Sequence, residues 1–408
     1  MGISIADAKP TDHIEGTGYP LAFKMQQGSA RPPVLGTDAA RDVFVVESRQ
    51  MAGYQKEGVV HEGDTGSVWR MATDEGKHLG GTDLAPFPLG FFNAGLHGDL
   101  VNRVLTIAKA RGIQIDDMNI DLLNGYYIIG SFIRGDGVGY GEPADIVVRI
   151  SSPAAAADVS ALIRDAIKAS PAMDLMRTSF DNTFAIYVNG RRRVVTSLTN
   201  SDAPDAPDPY KTHSAPPTPM DSSDELKDIV WKTGVLQDGE AQPAPNGTDA
   251  KLTRIIRTVP GHSVLLDPAG VTETDTYLGL DGMSHFKLKS DERMDMDQAP
   301  SGLGLLAAGI AFCYMTQIGR YIEHQKFNIR GVRLVQHTPF VTAGNPADGS
   351  WVGKSEPADT HLFLSGEEDD ETHERLMTIA ANTCYLHATM LAALEPNVAV
   401  ELNGTRLG

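Results

Sequence analysis

Cysteine is scarce: the 408 residues contain two, Cys313 and Cys384. Two thiols cannot build the cross-linked framework on which small secreted domains rely, so a reducing, cytoplasmic setting is the expectation. Positive charge is scarce too, with 35 Lys and Arg against 53 Asp and Glu and a net charge of −18. That field repels phosphate and argues against nucleic acid or anionic membranes as partners; the local run Arg191-Arg192-Arg193 does not reverse it. Met1 to Asp7 lacks a basic start followed by an apolar run, so no secretory leader is expected. No apolar stretch reads as a membrane span. Twelve histidines are present, but none form a His-x-x-x-His pair, there is no Cys-x-x-Cys, and His324 and His337 read as isolated. No metal or other cofactor is therefore expected. The run Gly135 to Gly141 lacks the Lys-Ser/Thr and the following helix of a phosphate cradle, and reads as a turn.

What the chain does contain is a repeat. A shift of 214 lays Leu89-Gly90-Phe91-Phe92-Asn93-Ala94-Gly95 on Leu303-Gly304-Leu305-Leu306-Ala307-Ala308-Gly309. The same shift lays Glu142-Pro143-Ala144-Asp145 on Glu356-Pro357-Ala358-Asp359, and Asn189-Gly190 on Asn403-Gly404. No gap is needed from Leu89 to Gly190, and 20 of those 102 positions are identical. Whole words held in one register imply duplication. The reading is an extended N-terminal arm over 1–38, a first domain over 39–195 without cysteine, a Pro-rich linker over 196–250, and a second domain over 251–408 carrying both cysteines. Each domain is long enough to bury its own core.

The pattern is strand-like from Val43 to Met71. A helix is predicted from Leu89 to Ala110, closed by Gly112, and its counterpart from Leu303 to Gln325. Strands are predicted at Ile113–Leu122, Tyr126–Ile133, Asp145–Ile150 and Thr183–Val188, with second helices at Ala157–Arg177 and Glu371–Leu394. The acidic run Glu367 to Glu371 suits the entry of a helix. The linker is read as extended, with one docked helix over Asp224–Leu236.

In the repeat register Cys313 faces Asp99 and Cys384 faces Ser170. Cys313 sits in Ala307-Ala308-Gly309-Ile310-Ala311-Phe312-Cys313-Tyr314, and Cys384 in Ala380-Ala381-Asn382-Thr383-Cys384-Tyr385-Leu386-His387. An Ala-rich helix ending in Cys, an extended excursion, and a second helix carrying Cys resembles the OsmC/Ohr family of thiol peroxidases. Copy one's stretch from Asp74 to Asp83, followed by Pro86-Phe87-Pro88-Leu89, is similar to the family's approach to its main helix. Asp291-Glu292 and Pro300-Ser301-Gly302-Leu303 are a degraded version of it.

The resemblance implies an α+β fold: two fused domains, each with curved antiparallel sheets around two central helices, forming an intramolecular pseudo-dimer. It places the active site at the interface, with Cys313 peroxidatic and Cys384 resolving. The implied partners are a small apolar organic hydroperoxide and an external dithiol. A thiolate opens the peroxide bond, the second thiol condenses with the sulfenic acid, and the dithiol reduces the disulfide. Two departures accompany the match. Leu303 stands ten residues before Cys313, where the family has a Glu that orients an activating Arg; Arg254 and Arg257 are the candidates for that Arg. Tyr385-Leu386 follows Cys384, where the family has Pro-Val; copy one keeps Pro171 after Ser170.

Two other readings stand beside this one. His387 lies three residues after Cys384 on the same helix face, and a Cys–His pair can hydrolyse a small organic compound. The chain can also be read as a non-catalytic protein that binds hydrophobic ligands. In copy one His97, Asp99 and Ser170 mark a second, degenerate site that offers acid–base groups and no thiol. Whether chains pair further into a homo-oligomer is left open.

Overall fold

The computed structural model describes residues 9–26, 40–64, 66–220, 228–237, 256–268, 270–291 and 298–408. The first half comprises α1 (Ile14–Thr17), β1 (Ala22–Gln26), β2 (Ala40–Gln50), β3 (Lys56–Glu62), β4 (Val68–Thr73) and the long α2 (Pro88–Arg111). It continues through β5 (Asp117–Ile129), β6 (Val138–Gly141), β7 (Asp145–Ser151), α3 (Ala156–Ala169), α4 (Pro171–Arg177), β8 (Thr183–Val188) and β9 (Arg191–Arg193). The second half opens with β10 (Val230–Leu236), β11 (Arg257–Leu265), β12 (Thr272–Thr276) and β13 (Ser284–Ser290), then α5 (Gly302–Gln325). It closes with β14 (Ile329–Ala343), β15 (Val352–Ser355), β16 (Asp359–Gly366), α6 (Asp370–Thr383), α7 (Tyr385–Leu391), β17 (Asn397–Leu402) and β18 (Thr405–Arg406). Under the shift of 214, α5, α6 and α7 begin and end on the residues equivalent to the bounds of α2, α3 and α4.

The fold is α+β, and its two sheets each draw strands from both halves. One runs β1-β4-β3-β2-β14-β16-β8-β9 with β15 beside β14. The other runs β10-β13-β12-β11-β5-β7-β17-β18 with β6 beside β5. The seams β2–β14 and β11–β5 are antiparallel, whereas β16–β8 and β17–β7 are parallel, so neither sheet is purely antiparallel as expected. The seam strands carry the period-2 pattern of a half-buried sheet: Phe44 and Val46 point into the core while Val43 and Val45 face away.

One continuous apolar cluster joins residues of both halves, in place of two separate cores. The reason lies where α2 crosses α5. A Cβ on Gly95 would come within 2.6 Å of the Leu306 nitrogen, and one on Gly309 within 2.7 Å of the Phe92 nitrogen. Glycines at equivalent positions therefore let the two backbones touch, and Phe91 packs edge-on against Phe312 with ring centroids 5.7 Å apart. By length and hydropathy α5 would pass for a membrane span, contrary to the expectation from the sequence, but its apolar window is wholly buried as a core helix.

Several sequence expectations change. β5 is one strand where two were predicted, because the chain runs straight through Gly125. The second helix of each half is broken in two, at Ser170 and at Cys384. Pro171 explains the first break, since it lacks an N–H and disfavours helix at the residue before it. The docked helix is not found: residues 230–236 form a strand on β13, and 221–227 lie outside the described residues. The described part of the arm is not wholly extended, holding α1 and a strand paired with β4. The linker from Ala203 to Thr212 lies on the sheet face away from the long helices. Arg333 donates to Asp208 at 2.6 Å and Thr212 to Glu47 at 2.8 Å.

Gly95→Ala and Gly309→Ala should each destabilise the protein by roughly 1–3 kcal/mol through overpacking, read as a lower urea midpoint. Gly319→Ala, whose Cβ would meet only the Gln50 side chain at 3.2 Å, should be neutral or stabilise by up to about 1 kcal/mol through helix propensity.

Candidate active site

Cys313 lies one turn beyond Gly309 on α5, and the helix crossing buries it. Cys384 is not inside a helix, as the sequence reading had it. It is the residue at which α6 ends and α7 begins, with φ −71° and ψ 116°. The turn swings its side chain toward α5, and the two thiols, both free, are hydrogen-bonded to each other. The Leu386 N–H also reaches the Cys313 sulfur. His387 Nδ1 lies 3.3 Å from Cys384 Sγ, with the ring held against Tyr314 and Phe184.

Burial opposes charge on both sulfurs, but the two differ in compensation. Burial raises the Cys313 thiol well above the ordinary thiol range, and negative charge at Cys384 adds to the rise. At Cys384 the opposing burial is outweighed by the hydrogen bond from Cys313 and by His387, so the pair's first proton leaves there.

The first half supplies the opposite wall. Gly58 on β3 presses against the Phe312 ring, and a Cβ there would lie 2.9 Å from it. That approach brings in Lys56, two residues earlier. Lys56 Nζ lies 3.8 Å from Glu75 Oε1, both groups are buried, and Thr316 donates to Glu75. Burial pushes Lys56 down and Glu75 up, each partly offset by the other. Leu303 offers no carboxylate, and Glu75 brings one from the other half within electrostatic reach of Cys313. Tyr126 on β5 packs its ring 5.4 Å from Tyr385, and its hydroxyl, which feels the charge of both sulfurs, is buried without a hydrogen-bond partner. Arg257, at the start of β11, and Arg320 both act on Tyr385, as do Cys313 and Glu75. Arg320 is stacked 4.2 Å from the Phe132 ring. Arg254 lies outside the described residues.

A cavity of about 360 Å³, lined in part by Asn182, Phe184, Ser197, Asn382 and Leu391, ends on His387. His387 Nε2 is buried without a partner among the described residues, and none of their carboxylates orients this ring.

The equivalent place in copy one is filled differently. Asp99 accepts from Ser170 at 2.5 Å and pairs with Arg103 at 2.6 Å, all three fully buried. Ser170 also caps α4 through Met173. His97 is not part of this group: its Nδ1 contacts Ser263 at 2.8 Å, and burial holds its pKa down at about 3. The structure thus joins Asp99 to Ser170 and separates both from His97.

Some of these partners were readable in advance. Thr316 and Arg320 fall three and seven residues after Cys313, on one helix face. Tyr126 was marked only by differing from its counterpart Phe340, Glu75 only by lying in the stretch from Asp74 to Asp83, and Lys56 carried no local signal.

Comparison with known proteins gives an OsmC-like region: residues 295–400 match the family model described as OsmC-like protein. A crystal structure of an OsmC-like hydroperoxide resistance protein from Jannaschia sp. CCS1 matches 34% of this chain and 88% of its own, at 20% identity and a TM-score of 0.25. The comparison with curated proteins gives no match.

Thiolate absorbance against pH tests the pair. As pH falls below about 8.5, where an ordinary thiol takes up its proton, one thiolate equivalent should persist. The second should appear only in strong alkali. Cys384→Ser should abolish the low-pH step, and two ordinary titrations in the unmodified protein would refute the arrangement.

Proposed function

We propose that this chain reduces small organic hydroperoxides through a dithiol–disulfide cycle at Cys313 and Cys384, and that its two halves are a fused, OsmC-like pair sharing one working site. The observation that carries the reading is the contact between two free thiols in an apolar, buried setting, beside the unpartnered Tyr126 hydroxyl.

Cys313 passes its proton to Cys384 along their hydrogen bond and attacks the outer peroxide oxygen. The O–O bond breaks, hydroxyl stays on sulfur as a sulfenic acid, and the alkoxide leaves as an alcohol. Its proton comes from the Lys56–Glu75 pair, while the Tyr126 O–H steadies the developing negative oxygen. The Cys384 sulfur then attacks the sulfenic sulfur; the S–S bond forms and the hydroxyl departs as water after taking up a proton. An external dithiol restores both thiols by exchange. The cavity ending on His387 is its approach to Cys384.

The 3.3 Å contact of His387 with Cys384 favours a second reading, hydrolysis by a cysteine nucleophile and a histidine base. Against it stands the unpartnered Nε2, which leaves the base unoriented.

One equivalent of cumene hydroperoxide should consume two thiols and leave one intramolecular disulfide. Cys313→Ser should abolish turnover, and Cys384→Ser should leave a sulfenic acid on Cys313 that dimedone traps. Retained turnover in Cys313→Ser, or two thiols untouched by peroxide, would overturn the proposal. Tyr126→Phe should lower kcat/KM by roughly 10²–10³, the usual loss for one oxyanion donor, while the number of titratable thiols stays at two.

A further inference from the structure

We propose that His337, Asp359 and His361 form a binding site for a divalent transition cation of the zinc or cobalt class, separate from the thiol pair. In sequence His337 reads as isolated; the fold corrects this. It stands directly opposite Asp359 across the β14–β16 ladder, and His361 follows Asp359 by two residues, on the same face. One ligand atom from each of the three lies within 4.8 Å of the others. The two imidazole centroids are 5.6 Å apart and nearly perpendicular. Two imidazoles and a carboxylate are the donor set of many three-ligand sites that keep a fourth position for water. His337 and Asp359 are only half-buried, so solvent can reach that position.

The surroundings of His361 accommodate a cation. Tyr187 Oη donates to Asp205 at 3.2 Å and lies 3.1 Å from His361 Nδ1, and His361 Nε2 lies 3.0 Å from Asp359 Oδ2. A cation would take the place of a proton between Nε2 and Asp359. The ring would then carry its proton on Nδ1 and donate to Tyr187, the outer partner that fixes this tautomer. His337 Nδ1 is buried and has no hydrogen-bond partner. Bond lengths of about 2.0–2.1 Å place tetrahedral ligands roughly 3.4 Å apart, so small side-chain rotations close the site.

Copy one supplies an internal comparison. Its equivalents are Leu123, Asp145 and Val147. Asp145 accepts from Asn397 at 2.9 Å as Asp359 accepts from Thr183 at 2.7 Å, so the carboxylate ties neighbouring strands in both halves. The two histidines belong to one half alone, and that shared role does not explain them. Through Tyr187, a bound cation would also fasten the linker at Asp205 and Ala206 to the sheet.

The test is a Co²⁺ titration of the full chain, after dialysis against chelator, followed by visible absorbance and thermal unfolding. One equivalent should bind with the intense bands of a four-coordinate site, raise Tm, and be displaced by Zn²⁺. His337→Ala and His361→Ala should each weaken binding at least tenfold. Asp359→Asn, which keeps an oxygen for Thr183, should do the same with the fold intact by circular dichroism. His285→Ala removes a histidine paired with Asp275 on the other sheet, and should bind as the unmodified protein does. Absence of bound Co²⁺, or unchanged affinity in the His337 and His361 variants, would overturn the site and show His361–Asp359 to be a simple hydrogen-bonded pair.

Discussion

The close approach of α2 and α5 is the constraint on which the rest depends. At Gly95 and Gly309 the backbones meet with no room for a side chain, and from there the two helices bury nearly their whole length in one shared core. Burying a large apolar side chain contributes about 1.5–3 kcal/mol, so a crossing that draws in Phe91, Phe92, Phe312 and their neighbours is worth many such terms. The same crossing sets the position of Cys313, one turn beyond the contact, and leaves β3 of the other half to close over it. The thiol's surroundings follow from helix packing before any chemistry is considered.

The two equivalent places show how one backbone frame takes two chemistries. At the Asp99–Ser170 position the carboxylate accepts from the Ser170 hydroxyl and pairs with Arg103, as a buried charge requires, although Arg103 Nη1 is left without a partner. At the Cys313–Cys384 position the thiols interact with each other, while Tyr126 Oη and His387 Nε2 are left without partners. The first arrangement ties α2 to the turn before α4. The second leaves unpartnered polar atoms beside two sulfurs, where polar atoms of a ligand can meet them.

The long helices were legible in the sequence because each rests on local pattern, and their bounds keep the register of 214. Helix bounds at Gly302 and Gln325 follow from apolar continuity closed by polar residues. The break at Cys384 was not legible, since no proline marks it as Pro171 marks its counterpart. The placing of Lys56, Glu75 and Tyr126 near Cys313 was not legible for a different reason: strands and loops of one half lie over the helix of the other. His337 was misread for a related reason within one half, its partner being 22 residues away along the chain and directly across a ladder. Sequence spacing finds neighbours on one helix face; it does not find neighbours across a strand ladder or between the halves.

The interleaved strand order has a consequence for how such a molecule changes. Each sheet alternates segments of the two halves, so neither half can be removed without opening both sheets. Two identical chains built on this plan would carry every substitution twice, at both sites together. A single chain carries it once, so the two equivalent places can differ, as Asp99–Ser170 and Cys313–Cys384 do. Joining the halves makes asymmetry heritable.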